Sequence, residues 1–188
     1  MSDVLTTQQV LQLLASMIGG GLAGSGLTAY INAQNAKSIS RAKESGTIAA
    51  LTGELRRAAL MCKHNAKLHS DIVAPFIHFP TTAAVNATFE ERHSYPRLAH
   101  LQQELEWYTL AIIQMNELID LYRLLLPSVI RQGPATTDTE ERRDRVRNDI
   151  VSKCNGSGKL EGVGPDDTIV LPTFIEHLLR QVLNLGAA

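Results

Sequence analysis

Residues 98–126 read LAHLQQELEWYTLAIIQMNELIDLYRLLL. Leu98, Leu101, Leu105, Tyr108, Ile112, Met115, Ile119, Tyr122 and Leu126 recur at alternating steps of three and four. This spacing draws one apolar stripe along a helix, the a/d seam of a helix that packs lengthwise on another. Pro96 suits a first helical turn and Pro127 bars continuation, so the helix is predicted from Pro96 to just before Pro127. Trp107, Leu110, Ile113, Leu118, Leu121 and Leu125 widen the apolar face beyond two heptad positions, so this helix needs more than one neighbour. A second stripe lies upstream: Ile48, Leu51, Leu55, Ala58, Cys62, Asn65, His69 and Ile72 keep the same rhythm. Two such helices in succession predict an all-α fold built on a long antiparallel hairpin, residues 37–130.

The segment between the stripes, residues 75–95, is apolar and proline-bounded: Pro75, Phe76, Ile77, Phe79, Pro80, Val85 and Phe89. It reads as an ordered connector capping the open end of the hairpin, with Thr81 or Thr82 opening a short helix. Residues 131–188 read as a third region. Thr137 and Glu140 form a capping box before a charged helix, from Glu140 to about Cys154, whose sparse Val146, Ile150 and Val151 predict a largely solvated rod. A glycine-rich linker follows, Asn155 to Pro165. Thr173 and Glu176 form a second box opening an apolar helix (Phe174, Ile175, Leu178, Leu179, Val182, Leu183). That helix, or another subunit, is expected to cover the wide face of the 98–126 helix.

Residues 1–36 differ in kind. No Asp, Glu, Lys or Arg occurs between Asp3 and Lys37. Val10 to Ile31 is long enough to span a hydrocarbon core of about 30 Å as a helix. Its glycines would penalise a soluble helix by about 1 kcal/mol each relative to alanine, a penalty lipid overrides because unpaired backbone is so costly there. An amino-terminal transmembrane helix is therefore expected. Lys37, Arg41 and Lys43 directly after it orient the amino terminus outside and the remaining chain in the cytoplasm. On that side the sequons at Asn86 and Asn155 are chance matches. Gly20, Gly24 and Thr28 stand four apart, the spacing that lets two helix backbones approach in lipid, so this face is expected to self-associate.

Composition narrows the chemistry. The chain has 188 residues, 44% hydrophobic and 20% charged, which excludes a disordered polymer. A net charge of -1 supplies no field for electrostatic nucleic-acid binding. Two cysteines are too few for a disulfide scaffold. Gly156, Gly158 and Lys159 resemble the tail of a phosphate loop, but Lys153 stands where its first glycine belongs and Leu160 follows the lysine. Cys62, Asn65 and His69 share the seam. Without further ligands they read as a polar step, with Asn65 and His69 setting the hairpin's register, rather than as a zinc site. No cofactor, metal or catalytic group is predicted.

Glu54-Leu55 with Asn65, then Pro75-Phe76 and Phe79-Pro80-Thr81, then Tyr108, Ile112, Asn116, Leu118 and Ile119 form a degenerate pattern over about a third of the chain. It resembles uncharacterised bacterial single-pass membrane-anchored proteins, which implies a cytosolic helical hairpin on an inner-membrane anchor and transfers no activity. Beside a soluble helical enzyme or metal protein using Cys62 and His69, two functions remain open on this reading. One is a membrane-anchored scaffold acting by contacts with an unidentified protein and with copies of itself. The other is a membrane-disrupting effector or phage lysis-type protein whose glycine-rich span oligomerises.

Overall fold

The computed structural model describes residues 23–68, 76–90, 95–126 and 137–187. The chain divides into two compact units, residues 1–43 and 44–188. The described residues are mostly helical, so the all-α class holds. Helix α1 runs Ala23–Asn65. In the first unit its residues 31–43 are exposed throughout, Ile31 and Ile39 included. Among the described residues no helix is long and apolar enough to cross a membrane. Most of the expected span, residues 10–22 with Gly20, lies outside the described residues. Gly24 and Thr28 fall in the first turns of α1.

In the second unit both stripes are buried as their spacing predicts. Ile48, Leu51, Leu55, Ala58 and Cys62 of α1 share one core with Leu98, Leu101, Leu105, Tyr108, Ile112, Met115, Ile119 and Tyr122. The downstream stripe begins in a turn at Tyr95–Leu98 and a 3-10 turn, Ala99–Leu101, before helix α3, Gln102–Leu125. Helix α2 is a four-residue piece of the connector, Thr82–Val85, followed by a π turn, Asn86–Glu90.

The direction of the second long helix departs from expectation. At one pole Asn65 of α1 holds Ile77, and Asn116 of α3 holds Phe79. Midway Glu54 holds Ala83 and Ala84. At the other pole Gln102 reaches Thr88, Thr47 meets Tyr95, and Glu44 accepts from the Arg97 amide. The connector thus retraces α1 from its end back to Glu44. Helices α1 and α3 consequently run parallel, and the antiparallel hairpin is corrected. From Glu44 to Asn65 a helix rises about 32 Å, and about 20 connector residues reach twice that when extended. The return is therefore easily spanned, with slack taken up by α2 and the π turn. A seam dictates which faces meet and leaves their direction to the connector.

Helix α4, Thr137–Asn155, is not a free rod. Its amino-terminal half is exposed or half-buried, and Asp144 pairs with Arg147 at 3.1 Å near the middle of the helix. Its carboxy-terminal half docks through Ile150 and Cys154, with Val146 and Val151 half-buried. The glycine-rich stretch is ordered too. Strands β1, Leu160–Glu161, and β2, Thr168–Ile169, pair antiparallel with Leu160 opposite Ile169. Leu160, Val163 and Ile169 turn into the core. Gly164 has φ +98°, and a Cβ there would lie 2.4 Å from Ile169 Cγ2, so only glycine fits this turn.

Helix α5, Leu171–Ala187, starts before its predicted box, with Pro172 in the first turn where the missing amide is harmless. Leu171, Ile175, Leu178 and Val182 are buried. Its start lies beside the end of α4, where a Cβ on Gly156 would sit 3.5 Å from Val170 Cγ1. Near its other end the Leu185 carbonyl accepts from the Arg97 guanidinium, and a Cβ on Gly186 would sit 3.8 Å from Ile48. Helix α5 therefore runs opposite to α1. Both α4 and α5 pack on α3; Trp107 and Leu118 of its wide face are thereby partly buried, whereas Leu110 and Ile113 stay exposed.

Candidate functional site

The polar residues of the core converge on the connector. Glu54 is buried, and its carboxylate oxygens accept the Ala83 amide at 2.7 Å and the Ala84 amide at 3.2 Å. Burial raises its pKa above the ordinary carboxylate value, against the lowering pull of those two amides and of Arg57. Asn65, fully buried, donates to the Ile77 carbonyl and accepts the Ile77 amide, both at 3.0 Å. Asn116 treats Phe79 in the same way, at 3.0 and 2.8 Å. An asparagine side chain offers one donor and one acceptor on one edge, so each pairs with both groups of a single connector residue.

The connector's first described turn is fastened outside the core. Arg123 donates to the Phe76 carbonyl at 3.1 Å and contacts the His78 ring, whose Nε2 lies 2.8 Å from the Asp120 carboxylate. The Phe76 ring is buried edge-on against Tyr122, centroids 4.9 Å apart. Asn65, singled out by its place on the seam, thus takes its partner from the connector backbone rather than from a group on α3. His69 lies outside the described residues. Sequence reasoning did not single out Glu54 as a clamp, nor the roles of Asn116 and Gln102. A carboxylate one position from a seam residue was the available signal for Glu54, and it reads equally well as solvated.

Beneath the clamps lie Tyr108, Cys62 and Cys154. Burial pushes the Tyr108 hydroxyl pKa up, and charge on Glu54 or Cys62 would push it further. That hydroxyl is buried with no hydrogen-bond partner among the described residues. Removing an unpaired buried hydroxyl while keeping the ring recovers its desolvation cost. Tyr108→Phe is therefore expected to leave stability unchanged or raise it by about 1 kcal/mol, read from the urea midpoint. A loss above about 1 kcal/mol would show that the hydroxyl is paired. The Cys62 thiol is pushed up by its hydrogen bond with Cys154 and then by burial.

Two open grooves lie elsewhere. One, of about 510 Å³, runs between α3, α4 and β1 past Glu117, Leu118, Leu121, Lys153 and Lys159. The other, of about 560 Å³, runs between α1 and α5 past Ile48, Thr52, Arg56, Arg97 and Leu183. Neither is lined by Glu54, Tyr108, Cys62 or Cys154. Among the described residues no group of three or more His, Cys, Asp or Glu side chains is placed to hold a metal. The arrangement fastens a connector between two helices. No family model matches the chain, and no curated protein or solved structure is found to be similar to it.

Proposed function

We propose that this chain is a membrane-anchored helical interaction protein, working by contacts with other proteins and with copies of itself. On this reading the glycine-rich amino-terminal region is a single pass through the inner membrane, with the amino terminus outside and the helical domain in the cytoplasm. The uncharged run between Asp3 and Lys37, and the basic residues that follow it, support the anchor and its orientation. The observation that carries the interaction reading is the outer face of α3. Leu110, Ile113 and Leu124 are exposed there, on one side of a helix whose opposite side is fixed in the core. Glu117 and Asp120 stand among them on the same side. Exposed large apolar side chains gathered on a rigid element suit a protein contact.

Fractionation of tagged full-length chain and of a chain lacking residues 1–36 tests the anchor. The full chain is expected in the membrane pellet, released by detergent and not by high salt, and the shortened chain in the supernatant. Recovery of the full chain as a monodisperse particle without detergent would overturn the reading. Leu110→Lys with Ile113→Lys tests the face: chemical crosslinking of the full chain in membranes is expected to fall several-fold, with the domain's unfolding midpoint unchanged.

A further inference from the structure

Helix α3 carries a second stripe, on the side away from the core. Glu106, Leu110, Ile113, Glu117, Asp120 and Leu124 step by four and three in strict alternation, the rhythm of its buried seam. Leu110, Ile113 and Leu124 are exposed, as are Glu117 and Asp120 between them. Every charge on the stripe is acidic. Asp120 meets His78 at 2.8 Å, and Glu117 stands near the middle of the apolar run.

The groove between α1 and α5 has the complementary character. It holds about 560 Å³, is lined by Ile48, Ala49, Gly53 and Leu183 together with Arg56 and Arg97, and has no acid among its described lining residues. Along α1, Ser45, Ala49, Thr52 and Arg56 also step by four, three and four, so the groove offers a second helix the same period. From Ser45 to Arg56 the helix rises about 17 Å, and Leu110 to Asp120 spans about 15 Å of α3. A Cβ on Gly53 would meet nothing within 4 Å among the described residues, so another helix can lie close there. Arg56 is exposed, and Arg97 gives the Leu185 carbonyl one of the five N–H groups a guanidinium offers. Stripe and groove belong to the same compact unit, so every copy presents both. Two α3 stripes pairing antiparallel, Leu110 against Leu124, would instead set Glu117 against Glu117, a repulsive arrangement.

We propose that the outer stripe of α3 in one copy of the chain seats in the α1–α5 groove of a second copy, its acids meeting Arg56 and Arg97. This builds on the reading that the outer face of α3 makes protein contacts, and names what it contacts. Because the two surfaces differ, the contact is head to tail. Each joined pair leaves one stripe and one groove for further copies, giving a ring if the rotation closes and an open row if it does not.

The test mixes full chains carrying Gly53→Cys with full chains carrying Ile113→Cys, in membranes or in buffer, wherever the chain is recovered, and oxidises them with copper phenanthroline. Both positions are open enough to accept the new side chain. Disulfide-linked dimers are expected several-fold above those of either variant alone, and a chain carrying both substitutions is expected to give a ladder of trimers and larger species. Arg56→Glu in the Gly53→Cys chain is expected to lower the dimer yield several-fold with the unfolding midpoint unchanged. Ala49→Cys replaces Gly53→Cys, and Leu183→Glu replaces Arg56→Glu, if either variant does not fold. An Ile113→Cys chain that links to itself as well as it links in the mixture would overturn the proposal, since α3 would then meet α3. Crosslinking that falls with Leu110→Lys and Ile113→Lys but not with Arg56→Glu would also overturn it, while leaving the outer face of α3 as a contact for another surface. Crosslinking that falls with neither would remove both readings.

Discussion

Glu54→Ala is expected to lower the free energy of unfolding by about 3 kcal/mol or more in urea titrations near neutral pH. The substitution strands two amides, those of Ala83 and Ala84, in a buried position, and each orphaned donor costs about 1–3 kcal/mol. It also leaves a void among side chains that are themselves buried. A loss under about 1 kcal/mol would mean that the amides find water or that α2 relaxes away. The charge of Glu54 adds a signature in pH. Burial holds its native pKa above the ordinary value of 4.5, so the folded chain retains this proton when the unfolded chain has released it. This group's contribution to stability is therefore most favourable below 4.5. It declines as pH rises through the unfolded value toward the raised native one, and is level above that. Glu54→Gln abolishes this slope, keeps an acceptor for one of the two amides, and is expected to cost less than alanine at neutral pH. An unaltered slope in the glutamine variant would assign it to other groups.

The second large effect belongs to the two asparagines. Asn65→Ala and Asn116→Ala each release an amide and a carbonyl of the connector, and each is expected to cost about 2 kcal/mol. Asn65 should cost more, being fully buried. Because Ile77 and Phe79 are two residues apart, freeing one loosens the other. The double variant is therefore expected to lose less than the sum of the single variants, with a coupling of about 0.5–2 kcal/mol. Hydrogen exchange at the Ile77 and Phe79 amides should accelerate in both single variants. Strict additivity, with exchange confined to the substituted side, would show that the two clamps act independently.

These effects mark the boundary of what the sequence discloses. The buried faces of α1 and α3 are legible almost residue by residue, because an apolar side chain every three or four positions has one geometric reading. Direction is not, since it depends on which backbone groups Glu54, Asn65 and Asn116 hold, and polar residues at or beside a seam do not name their partners. Asn65 stood out as a polar step while its partner, Ile77, did not. Helix α4 looked solvated because arginines and acids outnumber its apolar residues, yet Ile150 and Cys154, four apart, suffice to dock one half of it. The strands β1 and β2 span two residues each, too few for an alternating pattern to emerge. The candidate site was legible only in Asn65 and the cysteine of the seam. The remaining groups act through backbone they meet only after the chain has turned back on itself.

That turning back has a consequence during synthesis. A helical hairpin finds its partner as soon as the next helix emerges, whereas the stripe of α1 must wait for residues up to about Tyr122, with the intervening segment laid between the two. At about 5–20 residues per second, some 60 residues occupy roughly 3–12 s. Over that interval Leu51, Leu55 and Ala58 have only the connector to pack on. Whatever shields them on the ribosome, a chaperone or a neighbouring chain, acts before the second stripe exists.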